Sequence, residues 1–340
     1  MNGDGEAAYA RMAELAIGAR VALALRIAAE RRLADLVADR AKSAEELAEE
    51  TGLSAEPLRR LLRGLTGFGV FEESAEGTFS QTAMSACMRE GAYPSVREMI
   101  LVLNDDAVLK GWQQLAAVLE SGAPAFAAAN GVTFFQHISS DHNRSTLMGK
   151  FMMGIYGPEG AKIAAHFPFH RFASLLDVGG GQGHVLAEIM QRHPSMRGAL
   201  FDLPQTAEIA RAYLAGNDLA DCKVVAGDFF TSVPPGFDAY FIKSVLHDWD
   251  DEASVRILSR CHDAMPADAR VLVVDILVEP GKPSGHPHRL IDLEMMVSFG
   301  GRERTRQDFE KLFTNAGLKL EQITPVKNSF LTVLEASRLS

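Results

Sequence analysis

The chain has 340 residues, a net charge of −10, 47% hydrophobic and 23% charged content. These totals suit a globular protein of one or two domains and give no general affinity for nucleic acid or anionic membrane. Cys87, Cys222 and Cys261 are odd in number and scattered, with no CxxC or Cys/His cluster. That spacing argues against a disulfide framework and a zinc or other metal site, and fits a reducing cytoplasm. The start, Met-Asn-Gly-Asp-Gly-Glu, carries no basic and apolar leader pattern, and no apolar run reaches spanning length.

Residues from about Ala8 to Ala38 are rich in Ala, Leu, Ile and Val at helical spacing. Ala16, Val21, Leu23, Ile27, Leu33 and Leu36 leave little polar face, so this helix is expected to be buried. The burial is either within one subunit or against a second copy of the chain. Ser43 with Glu46 forms a capping box, Gly52 stops that helix, and Ser54 is expected to cap the next, Ala55 to Leu65. Its core face is Leu58, Leu61, Leu62 and Leu65. Gly67–Phe71 and Gly77–Ser80 then read as the two strands of a wing, completing a winged helix-turn-helix.

That unit invites a DNA-binding reading through Arg59, Arg60 and Arg63. Glu45, Glu46, Glu49, Glu50, Glu56, Glu72 and Glu73 outnumber them, and an acidic surface opposes phosphate contact. The arginines then form a solvated face.

Residues 95 to 165 read as helices, broken at Ser121-Gly-Ala-Pro124. Phe134, Phe135, Met148, Phe151, Met152, Met153, Ile155 and Tyr156 make a Met and aromatic stripe. Such a stripe is either core or the lining of a pocket for a flat apolar ligand.

From Ser174 onward strands and helices alternate. Ser174–Gly179, Gly198–Asp202, Lys223–Ala226, Ala239–Lys243 and Arg270–Asp275 are the strand candidates. The alternation predicts an α/β fold with a doubly wound parallel sheet. Leu318–Thr324 and Ser329–Glu335 predict a terminal antiparallel hairpin.

The chemistry gathers at the strand ends. Asp177 is followed by Gly179, Gly180, Gly181 and Gly183, a strand, tight turn and helix that would hold a nucleotide-like ligand at the sheet edge. The pattern is D-x-G-x-G-x-G. A nicotinamide dinucleotide fingerprint is disfavoured because His184 stands where its third glycine belongs. Asp202, in Phe201-Asp-Leu-Pro204, suits ribose hydroxyls or a helix cap. Gly227-Asp-Phe-Phe230 suits adenine, with Asp228 on the amine and rings around the base, or plain turn chemistry. His247 stands at the crevice and can take a proton from a phenol or alcohol. Asp275 and Glu303 are placed where a carboxylate could orient its ring.

Taken in order, D-x-G-x-G-x-G, FDLP, GDFF, LHDWDD and GGRERT resemble the S-adenosylmethionine-dependent small-molecule O-methyltransferases of the plant caffeate and bacterial antibiotic-tailoring type. The resemblance covers nearly the whole chain. It implies a Rossmann-like domain over residues 166–340, a helical linker contributing to the substrate pocket over 101–165, and a winged-helix-like dimerisation domain over 1–100. It implies a homodimer and no metal. It implies S-adenosylmethionine at Asp177, Gly179, Gly180, Gly181, Gly183, Asp202, Leu203, Gly227, Asp228, Phe229, Phe230 and Lys243, with Trp249 near the adenine. The acceptor, a hydroxylated aromatic or polyketide-like molecule, is implied at Phe135, Met153, Asp248 and Met295. His247 is implied as general base, flanked by Glu303 and by Asp275, which is one methylene shorter than the Glu of the plant members. Two other readings are a non-methylating reaction on the same scaffold, and a ligand-responsive DNA-binding regulator.

Overall fold

The computed structural model describes residues 3–92, 95–281 and 288–339. The expected pocket side chains of Ile155 and Tyr156 lie outside the described ones. The chain divides into two compact units, Met1–Leu109 and Lys110–Ser340.

In the first unit the helix Gly3–Glu30 breaks at Arg32, which takes a left-handed φ of 54°, and the short helix Leu33–Leu36 follows. Within one chain the first helix is exposed over much of its length: Tyr9 is 70%, Met12 67%, Leu15 60% and Leu23 46% exposed. Its end joins the core of Leu33, Leu47, Leu58, Leu62, Leu65 and Phe79 through buried Ala28 and Ala29, with Ala24 and Leu25 packed against it.

Ser43 and Glu46 cap each other's backbone N–H groups at 3.2 and 2.7 Å, starting the helix Ala44–Thr51, and Gly52 ends it at φ 70°. Ser54 precedes the helix Ala55–Thr66, but its side chain makes no capping bond, so that expectation is corrected. The wing is β1 (Lys42–Ser43), β2 (Phe71–Glu73) and β3 (Thr78–Gln81), ordered β1-β3-β2. Its second strand begins at Phe71 rather than Gly67 because Gly69 turns at φ 73°. Arg59 pairs with Glu45 and Glu56, and Arg63 with Glu73. Two of the three arginines are thus already neutralised by their own unit.

The second unit is built on β4 (Ser174–Val178), β5 (Arg197–Asp202), β6 (Lys223–Ala226), β7 (Ala239–Lys243), β8 (Arg270–Val278), β9 (Arg304–Thr305), β10 (Leu318–Pro325) and β11 (Leu331–Arg338). The strand order is β10-β11-β8-β7-β4-β5-β6, with β9 beside the end of β8. β4 to β8 run parallel, and β10 and β11 form the antiparallel hairpin against β8. The chain winds outward in both directions from β4, so a crevice opens at the carboxyl ends of β4 and β7.

Alternating side chains bury both faces, as a covered parallel sheet requires. One face packs Leu176, Val178, Ile242 and Val273 against Leu246, Ile257, Phe309 and Phe313. The other packs Leu175, Phe241 and Leu272 against Ile163, Phe169, Leu186 and Ile189. The helix His142–His166 carries Met148, Phe151, Met152 and Met153; Phe151 is buried and Met152 packs on this second core, while Met148 and Met153 are half-buried.

Candidate active site

Strand β4 ends at Val178, and the chain turns at Gly179 while Gly179 N–H still donates to Phe201 at 2.8 Å. A Cβ on Gly180 would lie 2.6 Å from the Asp177 carboxyl group, so no side chain fits there. Gly181 is different. It has φ +59° and nothing within 4 Å of where a Cβ would stand, which leaves open backbone for a ligand. Gly183 is the left-handed N-cap of the helix His184–Arg192. Gln182 lies against the backbone of Gly149, where a Cβ would come within 1.6 Å of its amide nitrogen.

Asp202 closes this turn from β5: it accepts from Gly181 N–H at 2.9 Å and Leu203 N–H at 2.7 Å. Burial pushes Asp202 up to about 6 against those two donors. Asp228 is exposed and accepts from Phe230 N–H at 2.8 Å, so its turn chemistry is realised and one oxygen stays available. Phe229, Phe230 and Trp249 meet edge to face, with centroids 4.8 to 6.2 Å apart. Burial also raises Asp177 to about 7 and lowers Lys243 to about 8, although Asp275 and Asp177 favour the Lys243 charge. His184, in the first turn, is pushed by burial down to about 3.

On the other side of the switch point, Ser244 takes φ 51° and sends the chain into the turn Leu246–Asp248. His247 is buried there. Its Nδ1 lies 2.7 Å from Glu303 Oε1, and its Nε2 lies 3.6 Å from Asp248 Oδ1. Burial opposes the imidazolium, but Asp248, Glu303 and Asp275 together outweigh it and raise His247 to about 10. Burial raises Asp248 to about 6. Asp275, expected as the second acid on the ring, makes no hydrogen bond to it. Both Asp275 oxygens and Glu303 Oε2 lack partners among the described residues. Asp275 reaches His247 through charge alone, because Glu303 occupies Nδ1 and the Asp side chain is short.

Two residues that sequence reasoning quoted only within GGRERT hold this turn. Arg304, 1% exposed, donates to Leu246 O at 2.7 Å, Trp249 O at 2.8 Å, Ser254 Oγ at 3.1 Å and the Asp251 carboxylate at 2.9 and 3.0 Å. It therefore grips the chain on both sides of His247. A Cβ on Gly301 would stand 1.9 Å from His247 O, so only glycine lets the two segments touch. No local pattern signals either role, since both depend on contacts 50 or more residues apart.

Phe135 stacks on Trp249 at 5.9 Å and 18°, and Phe299 joins it at 5.5 Å, an aromatic contact the spacing did not reveal. Met295, 7% exposed, opens the π-helical segment Met295–Phe299. Met153 is half-buried on its helix.

Open backbone at Gly181, the acids Asp202 and Asp228, a cation at Lys243 and a ring cluster at Trp249 together fit the adenosyl and amino-acid parts of S-adenosylmethionine. Residues 112–319 match the O-methyltransferase domain family, and residues 13–90 match the O-methyltransferase dimerisation domain family. The chain belongs to the O-methyltransferase family. The mitomycin biosynthesis 6-O-methyltransferase of Streptomyces lavendulae is 35% identical over 323 residues, 94% of this chain and 92% of that protein. The 8-amino-8-demethylriboflavin N,N-dimethyltransferase of Streptomyces davaonensis is 32% identical, covering 93% of this chain and 91% of that one. The solved mitomycin 7-O-methyltransferase MmcR is similar with a TM-score of 0.93 at 34% identity, over 99% of this chain and 100% of that one. An O-methyltransferase of neocarzinostatin biosynthesis, solved with S-adenosylmethionine and 2-hydroxy-5-methyl naphthoic acid, gives 0.84 at 31% identity over 94% of this chain and 96% of that one.

This methyltransferase uses S-adenosylmethionine as its donor. Membership in the family displaces the nicotinamide and DNA-regulator readings. Among the described residues no cluster of His, Cys, Asp and Glu could hold a metal, and no helix is long and apolar enough to cross a membrane.

Proposed function

We propose that this methyltransferase acts on a phenolic hydroxyl of an aromatic or polyketide-like small molecule, with His247 as general base. One observation carries this: a buried imidazole whose Nδ1 is engaged by Glu303 at 2.7 Å, leaving Nε2 for the acceptor. The donor, when bound, supplies a methyl group already activated on a sulfonium. The chain's work is then alignment and proton removal. Asp177, Gly179 to Gly181, Gly183, Asp202, Leu203, Gly227, Asp228, Phe229, Phe230, Lys243 and Trp249 hold the donor in this reading. Phe135, Asp248, Met153 and Met295 face the acceptor. Glu303 fixes the His247 tautomer and stabilises the imidazolium that forms.

The test is His247→Ala with methyl-labelled donor and a panel of phenols, followed by mass spectrometry. Turnover is expected to fall by about 10²–10⁴-fold with affinity for S-adenosylhomocysteine retained. Turnover equal to the parent at saturating acceptor sinks the base assignment, and a product without added methyl mass restores the non-methylating reading. The similarity to an N,N-dimethyltransferase favours a second reading, transfer to an amine. An amine acceptor carries its own lone pair, so loss of His247 would cost it far less than it costs a phenol.

We further infer a homodimer formed through the first unit. The dimerisation-domain match and the exposed apolar residues Tyr9, Met12, Leu15 and Leu23 support it, and sedimentation measures it. In this reading residues 1–100 dimerise, 101–165 contribute to the pocket and 166–340 bind the donor. Three free cysteines fit a cytoplasmic setting.

A further inference from the structure

We propose that Asp275 reads the acceptor: its buried carboxylate accepts a hydrogen bond from a second hydroxyl or amino group next to the hydroxyl that His247 deprotonates. The proposal rests on the acceptor-side role of His247 argued above. Asp275 is 1% exposed, and neither of its oxygens has a hydrogen-bond partner among the described residues. A buried polar group left so is costly unless a partner arrives.

The protein's own candidates for that partner are engaged elsewhere. His247 Nδ1 is taken by Glu303, and Nε2, which makes no hydrogen bond to Asp275, lies 3.6 Å from Asp248 Oδ1 and stays open to the acceptor. Arg304, whose charge Asp275 feels, spends its donors on Leu246, Trp249, Asp251 and Ser254. Lys243 donates to Ser244 Oγ at 3.2 Å.

Alternation along β8 places Asp275 on the strand face of Val271 and Val273, the face packed against Val245 and Leu246 at the start of the His247 turn. The two side chains are near enough that each shifts the other's proton affinity. A ring bonded to His247 Nε2 through one hydroxyl thus turns its adjacent substituent toward Asp275. Burial raises Asp275 to about 7; above that pH the ionised carboxylate only accepts, so that substituent must donate, and a methoxy group or a hydrogen does not serve.

The experiment uses the full chain saturated with S-adenosylhomocysteine, titrated with 2,3-dihydroxynaphthalene and with 2-naphthol. The parent is expected to bind the diol about tenfold more tightly, the scale of a hydrogen bond to a charged group. Asp275→Asn is expected to cut that preference to under about threefold, with the loss confined to the diol. If the Asn variant does not accumulate folded, Asp275→Ser carries the same expectation. An unchanged preference overturns the proposal. So does equal weakening of both naphthols, which marks a residue that merely supports His247, or weakened S-adenosylhomocysteine binding, which marks a counter-charge for Lys243 or the donor. Methyl transfer measured alongside separates the two claims. A preference without any transfer leaves Asp275 as a recognition group and sinks the assigned reaction, whereas transfer without preference does the reverse.

Discussion

The two halves of the crevice are built on different physics. On the donor half, at β4 and β5, the backbone shapes the site: glycines leave no room or no side chain, and Asp202 ties the turn by two N–H groups. On the half proposed for the acceptor, at β7 and β8, four ionisable side chains are crowded into a buried space, and among the described residues three carboxylate oxygens lack partners. The first half is set once the chain folds. The second is held in electrostatic tension, which is where specificity and proton transfer can be tuned.

The largest break in this contrast comes from Gly301→Ala. Its Cβ would drive into the His247 carbonyl, so stability should fall by about 3 kcal/mol or more in urea titration. A fully stable, active Ala variant would show that the turn yields easily. Next is Glu303→Gln. In its proposed role as base His247 works when neutral, so kcat/KM should rise with pH through the folded pKa, which the surrounding carboxylates hold near 10 in the donor-free chain. Removing the Glu303 charge should move that midpoint down and lower the rate on the high-pH plateau by about tenfold. An unmoved midpoint means that Glu303 is not among the groups that set it.

Gly183→Ala sharpens the other side. At φ +86°, with Leu200 3.0 Å from the new Cβ, affinity for S-adenosylhomocysteine should weaken by about 1 kcal/mol in calorimetry. The pH profile should stay where it was. A shifted profile would mean that the two halves are not separable.

The donor half was legible in the sequence because its signals are local. Glycine spacing, an acid at a strand tip and strand-helix alternation are carried by neighbouring residues, as was the capping box at Ser43. Strand β8 runs on to Val278, beyond the expected end, because β9 pairs there with Leu277 and Val278. The acceptor half was legible only as a set of residue types. His247 and Glu303 come together across 56 residues, and nothing near Asp275 in the chain shows that it ends without a partner. Arg304 looked like one more charge in a loop, and the apolar helix Gly3–Glu30 left its partner open, since composition does not say against what a helix packs.

The Arg304 splint has a consequence for redesign. Because one guanidinium fastens the carbonyls before and after the His247 imidazole, that turn is a fixed bench on which few exchanges are tolerable. The wall of Phe135 and Phe299 carries no such fastening. New substrates are therefore best sought by recutting the aromatic wall, leaving the proton-handling machinery as a constant while the shape it serves is varied.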